Sequence, residues 1–161
     1  MDWEALEAIK RLKYKYMRCL DQKRWDEIRE CFSEDATAAY SGGKYTYTGR
    51  DAIVGFLEKS MGAETFLSCH RVSHPEIEIT GDTASGVWAL EDTVIETRWG
   101  ITIRGAAFYE DRYVKTAGGW RIRHTGYRRT YEEIQPRANV EGLKLTAHWW
   151  KTDGRSELDI G

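Results

Sequence analysis

Two strand-like runs, Phe66 to Thr80 and Thr83 to Glu96, meet at Gly81-Asp82, and their length commits the chain to one long antiparallel hairpin. Side chains alternate along a strand, so Trp88, Leu90, Asp92 and Val94 share one parity. A carboxylate therefore faces the same way as three large apolar residues. A three-residue loop centred on Gly81 sets His70 opposite Asp92. Cross-strand neighbours on one face have Cβ atoms about 4.5 to 5.5 Å apart, within reach of an imidazole–carboxylate hydrogen bond. The alternative is a bulge at Pro75, which cannot donate to the ladder and would shift the pairing by one residue. An unpartnered buried carboxylate costs several kcal/mol, so an inward Asp facing an inward His calls for a structural or a catalytic reason.

The other segments supply elements to pack against this hairpin. Leu6, Ile9, Leu12, Tyr16 and Leu20 fall on one helical stripe over residues 3 to 20. Trp25, Ile28 and Phe32 predict a short second helix, and Ile53, Phe56, Leu57 and Met61 a third over residues 50 to 61. Thr37 to Tyr40 and Lys44 to Thr48 flank the turn Ser41-Gly42-Gly43, while Ile101 to Lys115 and Trp120 to Tyr131 are two further long strands. The expected fold class is α+β: a strongly curved antiparallel sheet wrapped around N-terminal helices, with a pocket inside the curl. Residues 1–136 form the domain. Residues 137–161 form a tail whose Leu143, Leu145, Trp149 and Trp150 are expected to pack on the domain or on a neighbouring subunit.

With 161 residues, one core can bury roughly 68 to 70% of the unfolded surface without staples. A net charge of -2 gives no electrostatic case for nucleic acid or an anionic membrane as a partner. No apolar run reaches transmembrane length. Cys19, Cys31 and Cys69 are odd in number and lack CxxC spacing, and Met1-Asp2-Trp3-Glu4 resembles no signal peptide, so a cytoplasmic setting is expected. Gly-rich phosphate loops, GxSxG and HExxH are all missing from the sequence. His70, His74 and Asp92 lack a familiar ligand spacing, so neither a metal nor a cofactor is expected.

Several stretches carry a family resemblance: Lys15-Tyr16-Met17-Arg18-Cys19-Leu20-Asp21 with Trp25-Asp26-Glu27, His70 ahead of Pro75-Glu76-Ile77, and Trp88-Ala89-Leu90-Glu91-Asp92. Gly105-Ala106-Ala107-Phe108-Tyr109 and Gly126-Tyr127-Arg128-Arg129 followed by Tyr131-Glu132-Glu133 extend it. Over roughly residues 6 to 134 the chain resembles the SnoaL-like branch of the nuclear transport factor 2-like (NTF2-like) superfamily, and within it the bile-acid 7α-dehydratases. The resemblance implies a cone-shaped fold, a homotrimer, and a polar pocket set of Tyr16, Asp21, His70, Asp92 and Arg129. Taken singly, each residue has a plainer account: a core phenol, a helix cap, a satisfied histidine, a loop or surface carboxylate, a solvated cation. Five coincidences at five motif positions are harder to dismiss. The sequence departs from the bile-acid enzymes in a loop around Gly81 that is one residue shorter, in His74 where they have a small polar residue, and in the tail.

The expected activity is a cofactor-independent dehydratase, a carbon–oxygen lyase acting on a hydrophobic hydroxy carbonyl compound. The abundant aromatics suit flat substrates, steroid-like ones included. His70 would be base and then acid, with Asp92 as its orienter. Tyr16 would donate to the carbonyl oxygen, and the resemblance gives Asp21 and Arg129 the task of orienting the leaving hydroxyl or the tyrosine. The same superfamily holds a dehydrochlorinase, polyketide cyclases and non-catalytic assembly subunits, and an isomerase could use the same His/Asp pair, so a cofactor-free isomerase or cyclase and a binding subunit stand as alternatives.

Overall fold

The computed structural model describes residues 1–161. Helix α1, Trp3–Gln22, starts where the Asp2 carboxylate accepts a hydrogen bond from Ala5 N at 3.0 Å, and it stops at Lys23 in the left-handed conformation. Its buried stripe is Ala5, Ile9, Lys13, Tyr16, Met17, Cys19 and Leu20. Lys13, and not the half-buried Leu12, occupies the middle of that stripe. Helix α2 is only Trp25–Arg29, shorter than the periodicity predicts, because Phe32 already belongs to strand β1, Phe32–Tyr40. That strand starts early because β6 offers it a partner: Ile122 N donates to Cys31 O at 2.8 Å, and Phe32 pairs with Ile122. Strand β2, Tyr45–Thr48, folds back on β1, and α3, Arg50–Met61, carries the chain to the long strands.

Strands β3 (Phe66–Thr80), β4 (Thr83–Glu96), β5 (Ile101–Thr116) and β6 (Gly119–Pro136) form a consecutive antiparallel meander. The complete sheet is curved and open, in the order β2-β1-β6-β5-β4-β3. One pairing departs from the antiparallel expectation. β1 runs parallel to β6, so the sheet is mixed. Gly126 permits their close approach, since a Cβ there would lie 2.5 Å from Ala39 O. The inner face, with Ala38, Tyr40, Trp88, Leu90, Ala107, Tyr109, Tyr113 and Ile122, closes over the helices in one core. No helix is long and apolar enough to cross a membrane.

His70 does pair with Asp92, but by a different route from the one the sequence suggests. Thr80 pairs with Thr83, so the turn holds two residues, not three. An extra residue at His74-Pro75, opposite Trp88, restores the register between Ser73 and Glu76. His74 lies at φ 32°, an unusual value for a non-glycine residue that accompanies the bulge. Beyond the final strand, a 3₁₀ turn at Arg137–Asn139 leads into the tail. His148 is buried there and Trp150 lies 4.6 Å from the Lys23 ammonium, whereas Leu143, Leu145 and Trp149 are exposed.

Candidate active site

The last turn of α1 lies against β3, and this contact joins the first two site residues. Asp21 Oδ1 faces His70 Nδ1 at 2.7 Å and accepts from Ser68 Oγ at 2.8 Å. Asp21 Oδ2 accepts from the His70 backbone N–H at 2.9 Å. A carboxylate only accepts, so His70 donates from Nδ1, and the neutral ring in this arrangement has its lone pair at Nε2. The imidazole is thus held by both its ring and its own backbone.

Asp92 does not orient His70, as the register alone suggests. Both of its oxygens accept from Arg129, Oδ1 from Nη1 and Oδ2 from Nη2 at 3.0 Å, a bidentate clamp, and the His70 ring is bonded to Asp21 instead. Asp92 is 6% exposed, so the guanidinium supplies the charge compensation that burial demands. Arg129 is aimed inward by a bulge: Ala106 pairs with Tyr131 but Ala107 with Arg129, and Thr130 is the extra residue. Gly105, the cross-strand partner of Asp92, leaves the space, because a Cβ there would lie 2.6 Å from Arg129 Nη1.

A cavity of about 190 Å³ lies beside the dyad. Tyr16, Tyr40, Tyr109, Tyr127 and His70 border it, and Leu20, Phe56, Leu57, Met61 and Phe66 supply much of the rest of the wall. Tyr16 and Tyr40 share a hydrogen bond, Oη to Oη at 2.9 Å. Burial pushes the phenols of Tyr16, Tyr40 and Tyr109 well above their ordinary range, so all three remain protonated donors. Of the five residues expected, Tyr16 and His70 border the cavity, Asp21 stands behind His70, and the Asp92–Arg129 pair stands apart, with the guanidinium 5.1 Å from the Tyr127 ring. Asp21 and His70 also reach an outer groove lined by Tyr14, Met17, Arg18 and Val72.

Sequence reasoning missed Tyr40, Tyr109, Tyr127 and Ser68. The inward parity of Tyr109 with Ala107 and Asp111 was a usable signal. Nothing short of the fold could bring Tyr40 to Tyr16. No three His, Cys, Asp or Glu side chains gather closely enough to hold a metal ion.

A partly buried His–Asp pair beside phenol donors in an aromatic cavity can move a proton at a carbon next to a carbonyl group. The family described as SnoaL-like domain matches residues 1–126. A candidate scytalone dehydratase of Novosphingobium aromaticivorans is similar over 80% of this chain and 85% of its own, at 26% identity and a TM-score of 0.72. A hexachlorocyclohexane dehydrochlorinase of Novosphingobium barchaimii shares the fold over 89% of this chain and 97% of its own, at 17% identity and a TM-score of 0.75. A candidate aromatic ring hydroxylase of Novosphingobium aromaticivorans shares it over 84% and 94%, at 20% identity and a TM-score of 0.75. With the family pattern running through the helices, the hairpin and most of the sheet, the chain belongs to the SnoaL-like domain family.

Proposed function

We propose that this SnoaL-like protein is a cofactor-independent dehydratase that removes water from a small hydrophobic β-hydroxy ketone. The observation that carries the reading is the Asp21–His70 pair at the wall of an aromatic cavity that Tyr16 also borders. His70 Nε2 takes the proton from the carbon between the carbonyl and the carbinol. The electron pair moves onto the carbonyl oxygen, which Tyr16 meets as a hydrogen-bond donor. Asp21 stabilises the imidazolium that forms, the role of the acid in hydrolytic triads. The enolate then collapses, the C–O bond breaks, and His70 returns its proton to the departing hydroxyl, so that the products are an enone and water. Asp92 and Arg129 neutralise each other and brace the Tyr127 side of the wall.

The cavity volume bears on the substrate. About 190 Å³ lies below the roughly 300 to 1,000 Å³ usual for drug-sized ligands, which favours one or two rings over the four of a bile acid. The lining offers no unpaired cation, and this favours an uncharged substrate.

The test is a panel of cyclic β-hydroxy ketones incubated with the protein and followed by mass spectrometry for loss of water. Dehydration that His70→Ala slows by about 10² to 10⁴-fold supports the reading. Products of unchanged mass would point to an isomerase. Near wild-type turnover by His70→Ala would remove the base from the mechanism altogether.

A further inference from the structure

Lys13 is fully buried, and the reaction described above gives it no task. Its ammonium lies 2.6 Å from Asp111 Oδ2. Asp111 in turn accepts from Tyr113 Oη at 2.8 Å and Thr125 Oγ1 at 2.7 Å, while Trp88 Nε1 donates to Tyr113 Oη at 2.9 Å. A buried ion pair is often no more stabilising than apolar residues of the same volume, so stability alone is a weak account of this one. What lies on the other side of the ammonium is more informative. Lys13 Nζ is 3.4 Å from the centroid of the Tyr109 ring and 5.0 Å from that of Tyr16.

Both rings border the cavity, yet their hydroxyls are used differently. Tyr16 Oη is bonded to Tyr40 Oη. Tyr109 is only 2% exposed, no hydrogen bond ties its hydroxyl to the protein, and its oxygen is not among the side-chain atoms sealed off in the interior. A phenol in a mostly apolar wall needs a partner for its O–H, so a free hydroxyl on a residue that lines a cavity points to an occupant of that cavity.

We propose that Tyr109 is a second hydroxyl donor to the substrate oxygen, its ring fixed in place by the Lys13 ammonium. This rests on the dehydratase reading, because it requires a substrate oxygen in the cavity. A cation on the face of a phenol draws electron density from the ring and makes its O–H a better donor. Burial pulls the Lys13 amine below its ordinary value, and the charge and hydrogen bond of Asp111 oppose that pull. Tyr109 approaches from β5 and Tyr16 from α1, with ring centroids 6.4 Å apart and planes at 90°. Two donors from two elements would fix the oxygen more firmly than one. Tyr127 also borders the cavity, but its ring lies near Arg129 and has no buried ammonium on its face.

The experiment uses 2-naphthol, whose oxygen mimics that of an enol and whose fluorescence reports its ionised fraction when bound. Tyr109→Phe keeps the ring and its contact with Lys13, so folding should be unaffected, as circular dichroism would verify. It should weaken binding about 10- to 100-fold and lower the ionised fraction, as expected for loss of a hydrogen bond to a charged acceptor. Tyr16→Phe should do the same. Weakening by Tyr16→Phe with no change for Tyr109→Phe would overturn the proposal and leave the dehydratase reading standing. No effect of either variant, or no binding by the wild-type protein, would overturn both.

Discussion

Asp92 is buried and Asp21 partly buried, both near His70, and their hydrogen bonds predict opposite outcomes for the same substitution. Asp21→Asn removes the charge that stabilises the imidazolium, and the amide can present its NH₂ to Nδ1 and so impose the wrong tautomer. Turnover should fall about 10² to 10⁴-fold while substrate binding changes little, because both effects act as charge develops. Asp92→Asn leaves the dyad intact but breaks a bidentate pair and leaves the half-buried guanidinium only the exposed Glu132, 3.3 Å from its Nε. Its main cost should be to stability, about 3 to 5 kcal/mol for breaking a buried pair. Turnover and urea unfolding of the two variants check this together. A larger loss of turnover from Asp92→Asn at unchanged stability would return Asp92 to the role its register position suggests. The sequence supported Asp92 because cross-strand pairing is a local rule. Asp21 reaches His70 only through the docking of α1 on β3, a contact between residues 49 apart.

The hairpin of β3 and β4 shows how much of an element can be read from sequence. Both strands and the pairing of His70 with Asp92 were legible, but the bulge at His74-Pro75, which Pro75 already signals as the alternative, is offset by a turn one residue shorter than expected. Turn length and bulges depend on backbone angles that residue types only bias. The parallel pairing of β1 with β6 and the bulge that turns Arg129 inward were hidden for the same reason. At the other end of β3, Lys23 joins several elements at once. Its ammonium donates to Met61 O at the end of α3 and to Phe66 O at the start of β3, and lies near the Trp150 ring of the tail. Burial draws its pKa down from 10.5 to about 8, against the opposing pull of Asp21, Glu96 and Glu64. Between those values the unfolded chain holds a proton at Lys23 that the folded protein lacks, so stability rises with pH across this window. The difference in unfolding free energy between wild type and Lys23→Met should therefore grow from pH 8 to pH 10.5. Urea titrations of both proteins at the two ends measure it, and a flat difference would mean that the ammonium is not penalised by its site.

For the molecule as a whole, the outer face of the sheet exposes three large apolar side chains, Val87, Phe108 and Tyr131. Val87 pairs with Glu110, Phe108 with Arg128, and Tyr131 with Ala106, which places the three side chains on the face turned away from the helices. Phe108 and Tyr131 are each about half exposed. Charged neighbours such as Glu110 and Arg128, themselves ion-paired at 2.9 Å, rim this patch as they would the core of an interface. Family resemblance makes three copies closing around one axis the expected assembly, and a closed ring would cover the patch without leaving an edge that invites further growth. Light scattering at micromolar concentration should then give three times the 18.6 kDa chain mass. Phe108→Lys places a charge where a neighbour's apolar side chain would sit, so it should shift the protein to monomers. The cavity lies on the opposite face, lined by Tyr16, Tyr109 and His70, so a monomeric Phe108→Lys variant should still bind 2-naphthol. A wild-type protein that is monomeric at that concentration would reject the trimer, while a monomeric variant that has lost binding would mean that assembly helps to shape the site.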